Sequence, residues 1–143
     1  MGDLPAAFRV ADKQRETADT WTLRLEPADA AADAPRFAPG QFGWLSVNRS
    51  PFALTQHPFS FSSNGDDSSA LQMSIKELGD FTRTIRTITP GTRAYVDGPH
   101  GVFSPDHYGG PGFVLLGGGV GIGPLMSILR TFATRGERRP CFL

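Results

Sequence analysis

The stretch from Phe113 to Phe132 constrains this chain most. It begins with four apolar residues, Phe113 to Leu116, and continues as Gly117-Gly118-Gly119-Val120-Gly121-Ile122-Gly123-Pro124. Beyond that, Ile122, Leu125, Ile128, Leu129 and Phe132 recur at the spacing of one helix face. Pro124 suits the first turn of this helix and Gly136 its end. Residues 139–143, which include Pro-Cys-Phe-Leu, read as another strand. Strand, glycine turn, helix and strand form the opening unit of a parallel α/β layer. One such unit cannot cover both faces of its own sheet, so further polypeptide is expected to complete it, from this protein or from another chain.

Upstream, the apolar period is two. Phe8 and Val10 alternate with Arg9 and Ala11, and Trp21, Leu23 and Leu25 alternate with Thr22, Arg24 and Glu26, which predicts two half-buried strands. Prolines 27, 35 and 39 mark the next stretch as an exposed connection. Further strands are predicted over 41–47, 57–63 and 71–75, with a loop over 48–56. Asn64-Gly65-Asp66-Asp67 is a turn signal that would pair the fourth and fifth strands as a hairpin. Phe81, Ile85 and Ile88 then fit one face of a short helix stopped at Pro90-Gly91, and Arg93 to Asp97 is a sixth strand before a connector over 98–112. The fold class is therefore mainly β: a six-stranded antiparallel barrel, closed or nearly so, with one short helix, followed by the first β-α-β piece of a parallel α/β domain. The expected boundary puts one domain at 1–110 and the start of a second at 111–143.

Composition narrows the partners. Of 143 residues, 39% are hydrophobic and 20% charged, as in an ordinary globular protein. Fourteen basic residues balance fourteen acidic ones, so there is no net field to attract nucleic acid, and a small ligand is the better expectation. The single cysteine, Cys141, cannot form an intrachain disulfide, and no Cys/His spacing suggests zinc. A reducing, cytoplasmic setting is compatible with this. The N-terminus lacks a basic start and an apolar run, so no secretory signal is expected. The run 113–126 is too short and glycine-rich to span a bilayer as a helix.

Three segments carry candidate chemistry. The glycine turn would let a diphosphate approach backbone amides at a helix start. It lacks the Gly-Lys-Ser/Thr ending that NTP hydrolysis needs, and a tight packing turn is the other reading. Lys76, Gly79 and Thr82 supply charge, close backbone approach and a hydroxyl for a second anion site, with Asp80 opposing and Arg83 and Arg86 offsetting it. In His57-Pro58-Phe59-Ser60-Phe61, a regular strand puts His57, Phe59 and Phe61 on one face, which suits a core as well as a cofactor.

Together and in this order, these segments resemble the ferredoxin–NADP⁺ reductase superfamily, and the His57-Pro58-Phe59-Ser60 variant looks most like its ferric reductase and NADPH oxidase branch. The family's flavin-lining Arg-x-Tyr-Ser/Thr motif corresponds to His57, Phe59 and Ser60. Its pyrophosphate segment corresponds to Lys76, Gly79, Phe81 and Thr82. Its Pro-Gly-Gln-Phe signature falls at Pro39 to Phe42, its Gly-Pro-Tyr-Gly turn at Gly98 to Gly101, and its NAD(P) turn at Gly118, Gly119, Gly121, Ile122 and Pro124. Histidine in place of arginine at 57 implies a weaker phosphate contact, which leaves FMN open beside FAD.

The resemblance implies an FAD-binding barrel followed by a nicotinamide-nucleotide domain. It implies an NAD(P)H oxidoreductase passing electrons through FAD to a one-electron acceptor such as haem, a ferric chelate or an iron–sulfur centre. Ser60 would stand at the reactive flavin edge, and the resemblance allows a separate membrane haem domain, a further C-terminal NAD(P) region and a homo-oligomer. The alternative is a non-catalytic flavin-binding or docking module serving a partner. Cys141 lies too early to match the family's cysteine near the nicotinamide.

Overall fold

The computed structural model describes residues 5–48 and 56–143. Most of the loop expected over 48–56 lies outside the described residues. Six strands form one antiparallel sheet: β1 (Ala6–Arg15), β2 (Thr20–Pro27), β3 (Phe42–Val47), β4 (His57–Ser60), β5 (Leu71–Lys76) and β6 (Arg93–His100). Their spatial order is β4-β3-β6-β1-β2-β5.

The expected hairpin between the fourth and fifth strands is not what forms. β4 pairs with β3 and β5 pairs with β2, so the two stand at opposite edges of the sheet. They meet at one bridge, Phe61 to Met73, supported by the Ser62 amide donating to the Gln72 carbonyl at 2.8 Å. The twist of the sheet brings its edges together, so the Asn64–Asp67 turn joins two edges of a nearly closed barrel.

Period-two alternation fills the interior as expected. Phe8, Val10, Leu23, Leu25, Leu45, Leu71, Met73 and Ile75 are all buried, with Phe61 at 0% exposure among them. The short helix α1 (Asp80–Thr84) is briefer than its apolar spacing suggests and continues as a 3-10 turn over Ile85–Thr87, which still buries Ile85 and Ile88. Two signature segments serve this architecture. Gln41 Nε2 donates to the Gly101 carbonyl at 2.9 Å, and a Cβ on Gly40, whose φ is +101°, would stand 2.2 Å from the Phe103 carbonyl oxygen. Only glycine allows that approach.

After a 3-10 turn at Pro105–His107, the chain enters β7 (Phe113–Val114), two residues shorter than the predicted strand. A further 3-10 turn at Gly119–Gly121 leads into α2 (Ile122–Arg135), and β8 (Cys141–Phe142) pairs parallel with β7. The predicted strand, helix and strand are all present. Gly136 ends α2 in the left-handed region at φ 66°, and the Glu137 amide reaches back to the Phe132 carbonyl at 3.0 Å. Leu115, Leu125, Ile128 and Phe132 form a second small core.

α2 is tied to the turn that follows the barrel's closing bridge. Thr131 Oγ1 accepts from the Gly65 amide at 2.9 Å, and Asn64 donates to Thr134 Oγ1 at 2.9 Å. Arg135 donates to Asp66 at 2.8 and 3.0 Å and to Asp106 at 2.7 Å. This holds the Asp66 carboxyl below its ordinary value and the Arg135 guanidinium above its own. Arg135→Ala should lower stability by about 1 kcal/mol in urea unfolding at pH 7, a modest figure because water screens a guanidinium that is 37% exposed. The folded Asp66 value is depressed, so the contribution is present above 3.8 and fades as pH falls through the folded value. An unchanged midpoint in Arg135→Ala would show that α2 is held without this pair.

Candidate functional site

Alternation along β5 turns Ser74 and Lys76 outward while Met73 and Ile75 fill the barrel, and this creates one wall of a cleft. The start of α2 and the turn before it form the opposite wall. Two adjoining hollows occupy the space between. The smaller, about 240 Å³, is lined by Pro58, Phe59, Ser60, Ser74, Lys76, Leu78, Thr82, Val120 and Gly123. The larger, about 580 Å³, is lined by Glu16, Thr17, Asp19, Thr20 and Thr22 of the β1–β2 corner, by Ser62, Ser74 and Lys76, and by Gly119, Val120, Ile122, Gly123, Met126 and Arg130. Ser74, Lys76, Val120 and Gly123 belong to both, so the hollows form one continuous cleft.

The cleft's polar groups are held in place from behind. Lys76 Nζ lies 3.5 Å from Asp19, whose carboxyl is lowered mainly by the Thr17 hydroxyl and further by Lys76. Hydroxyls run in a row from β2 across β5 to the segment after β4: Thr22 to Ser74 at 2.9 Å, and Ser74 to Ser62 at 3.2 Å. Arg130 of α2 donates to the Ser62 carbonyl and, at 3.1 Å, to Gln72 Oε1. Thr82 Oγ1 accepts from the amides of Leu78 and Gly79, each at 2.8 Å, and donates to the Gly79 carbonyl at 3.0 Å. Its hydrogen-bonding capacity is thereby spent on shaping the 78–82 turn, so Thr82 acts through the backbone rather than as a direct donor. The first amides of α1 have no partner within so short a helix.

The residues predicted from sequence fall into three groups. Pro58, Phe59, Ser60, Lys76 and Thr82 share the smaller hollow, and Gly119 and Ile122 line the larger. His57 and Phe81 stand elsewhere. They stack at 4.0 Å and 10° and line a separate hollow with Val47, Asn48, Asp80, Thr84, Thr87 and Ile88. Gly79, Gly118, Gly121 and Pro124 do not line the cleft, although each is the chain neighbour of a residue that does. A Cβ on Gly118, Gly119, Gly121 or Gly123 would meet nothing within 4 Å, whereas one on Gly117 would press on Leu125 at 2.7 Å. Gly117 is thus the packing glycine, and the others leave room beside the cleft.

Sequence reasoning missed Ser74, Val120, Gly123 and Arg130. Two signals could have found them: Ser74 precedes Lys76 by one strand period, and Gly123, Met126 and Arg130 share a helix face at i, i+3 and i+7.

A cleft of this size, with an apolar lip, a hydroxyl, an ammonium and exposed backbone amides, suits a ligand with a flat ring system and a phosphate tail. Ser60 faces the hollow, and no hydrogen-bond partner reaches its hydroxyl among the described residues, which leaves that group available to a ring edge. No group of three or more His, Cys, Asp or Glu that could hold a metal occurs among the described residues.

Known proteins resemble this chain over most of its length. The family described as FAD-binding domain matches residues 17–104. The chain is 32% identical over 140 residues to a flavohemoprotein of Bordetella pertussis, covering 93% of this chain and 35% of that protein. It is 30% identical over 125 residues to a probable dihydroorotate dehydrogenase B (NAD(+)) electron transfer subunit of Methanopyrus kandleri, covering 87% of this chain and 43% of that one. The chain therefore spans less than half the length of these relatives. Its fold superposes on phthalate dioxygenase reductase with a TM-score of 0.80 at 21% identity, over 95% of this chain and 41% of that structure. With a family match across more than half its length, on a barrel of the same fold as that reductase, the chain belongs to the FAD-binding domain family.

Proposed function

We propose that this chain is the flavin-holding part of an NAD(P)H oxidoreductase, with FAD seated in the cleft between β4, β5 and the start of α2. The observation that carries this reading is the convergence of Pro58, Phe59, Ser60, Lys76 and Thr82 on one hollow opposite Val120 and Gly123. The chemistry FAD supplies when bound is acceptance of a hydride from NAD(P)H and release of electrons singly to an acceptor such as haem, a ferric chelate or an iron–sulfur centre. The protein's residues bind, orient and shield. Phe59 and Pro58 offer apolar surface to a ring, and the Ser60 hydroxyl offers a hydrogen bond at its edge. Lys76 offers charge to phosphate, with Asp19 holding the ammonium in place until a ligand competes for it. Val120 and Ile122 offer apolar cover from the opposite wall.

In this reading residues 1–110 form the flavin domain and 111–143 the beginning of a nucleotide domain. The open turn at Gly118, Gly119 and Gly121, followed by Ile122 and Pro124, would receive the nicotinamide nucleotide. His57 and Phe81 stand in the neighbouring hollow, where the His57 ring supports Phe81 and would reinforce the phosphate segment from beside it. Gly79 gives the turn its close approach. The relatives' names, a flavohemoprotein and an electron transfer subunit, support an acceptor that is another cofactor-bearing domain or protein. No helix among the described residues is long and apolar enough to cross a membrane. A cytoplasmic setting, on its own or as the cytosolic part of a membrane-anchored reductase, is the one proposed.

The test is direct. Purified protein incubated with FAD and passed through gel filtration should retain flavin, and flavin-free protein after saturating FAD would overturn the reading. In anaerobic mixing with NADPH or NADH, Ser60→Ala should slow flavin reduction by about tenfold while changing FAD affinity less, as expected for a group at the reacting edge. Exposed Val114, Leu116 and Phe142 favour a second reading, in which the flavin domain works only beside further polypeptide. In that case FAD binds and neither nucleotide bleaches it.

A further inference from the structure

Strand alternation turns Lys76 into the cleft and its neighbour Glu77 away from it. The Glu77 side chain is only 6% exposed and does not line the cleft; it enters a cluster behind the wall that Asp19 and Lys76 form. Its carboxylate accepts from Trp21 Nε1 at 2.7 Å and pairs with Arg86 through both Nε and an NH2 group. The Glu77 amide donates to the Asp19 carbonyl at 2.8 Å, beside the side chain that pairs with Lys76. Lys13 closes the cluster from the other side. Its ammonium donates to the Arg86 carbonyl at 2.6 Å and lies 4.8 Å from the centre of the Trp21 ring. The titratable and charged groups around Glu77 are thus Lys13, Arg15, Asp19 and Arg86, and its carboxyl is lowered chiefly by Arg86 and then by Trp21.

The segment that follows is held lightly, by the Thr82 hydroxyl within its own turn and by a half-buried Phe81 packed on His57 and the edge of the core. Leu78 is exposed, α1 buries no residue, and a Cβ on Gly79 would meet nothing within 4 Å. The next fully buried anchor is Ile85. Glu77 and Ile85 therefore bracket a turn that carries one edge of the cleft but lacks a core of its own.

We infer that Glu77 is a positioning residue: through Trp21 and Arg86 it fixes the end of β5, and with it Lys76 and the 78–82 turn, against the phosphate-bearing part of the flavin. This rests on the flavin seat proposed above. A residue acting through the phosphate segment affects a flavin that carries phosphate and spares one that does not, whereas a residue needed only for folding affects both.

The experiment is fluorescence titration of purified wild-type and Glu77→Gln protein with FAD and, separately, with riboflavin. Glu77→Gln should bind FAD about tenfold more weakly, the equivalent of one charge-assisted hydrogen bond, with riboflavin affinity unchanged. Arg86→Gln should give the same pattern. Arg86 is 60% exposed and can be solvated, so this variant keeps the test available if Glu77→Gln does not fold. Equal FAD affinity in wild type and folded variant, or parallel loss of FAD and riboflavin, would overturn the inference. Failure of the wild-type protein to take up either flavin would overturn the flavin seat itself, and the positioning role with it.

Discussion

Phe61→Ala should cost the fold about 3–5 kcal/mol, the range for truncating a fully buried phenylalanine, and it should leave the protein marginally stable. Three features place Phe61 at the top of the range. It is fully buried, and its ring lies 4.4 Å from that of Phe37, which adds a second aromatic to the loss. It is also the residue through which β4 meets β5, bridging to Met73 while its amide donates to the Gln41 carbonyl at 3.0 Å. A cavity there opens where the barrel closes, and β3, β4 and β5 would all face it. The ring fits closely as well: a Cβ on Gly43 would stand 2.9 Å from its tip. Urea unfolding followed by far-UV circular dichroism measures the effect. A loss below about 1 kcal/mol would mean that the seam is not what holds the barrel shut.

The second large effect is on binding. Gly123→Leu should weaken FAD affinity by about a hundredfold or more while leaving the unfolding midpoint of the flavin-free protein unchanged or slightly raised. Gly123 lines both hollows, lies in the first turn of α2, and has nothing within 4 Å of where a Cβ would stand. A leucine side chain would occupy open cleft without pressing on the core, and replacing a helical glycine favours the helix. Loss of binding without loss of stability separates a blocked site from a damaged fold. Equilibrium titration with FAD and thermal unfolding of the same preparation give both quantities. FAD uptake equal to wild type would place the ligand elsewhere.

Much of the architecture was legible because it rests on local pattern. Period-two runs such as Leu71, Met73 and Ile75 do fill the barrel, and the change to helical spacing after Gly123 does mark α2. The pairing of β4 was not legible. A turn signal such as Asn64-Gly65 states that the chain reverses, but whether the flanking strands pair depends on the twist of the whole sheet, which here makes them opposite edges. The length of β7 was misread for a related reason. Leu116 is apolar but exposed, and its apparent place in a buried strand depends on what lies against it.

The site shows the same division. Lys76 and Ser60 could be picked out by residue type, and both face the smaller hollow. His57 matched a motif position, yet it lines a neighbouring hollow, where its ring stacks on Phe81, whose ring also lies 6.2 Å from that of Phe59. Arg130 and Glu77 carried no motif. Their parts come from tertiary contacts with Ser62 and Trp21, 68 and 56 residues away in sequence.

A crystal structure of this chain grown with FAD would test the central claim most directly. The cleft reading predicts the flavin ring against Pro58, Phe59 and Ser60, opposite Val120 and Gly123, with the nearest phosphate at Lys76. A ring seated instead in the hollow of His57 and Phe81, or in the apolar groove lined by Phe103, Leu116 and Leu125, would contradict it. So would a chain that carries no flavin at saturating FAD.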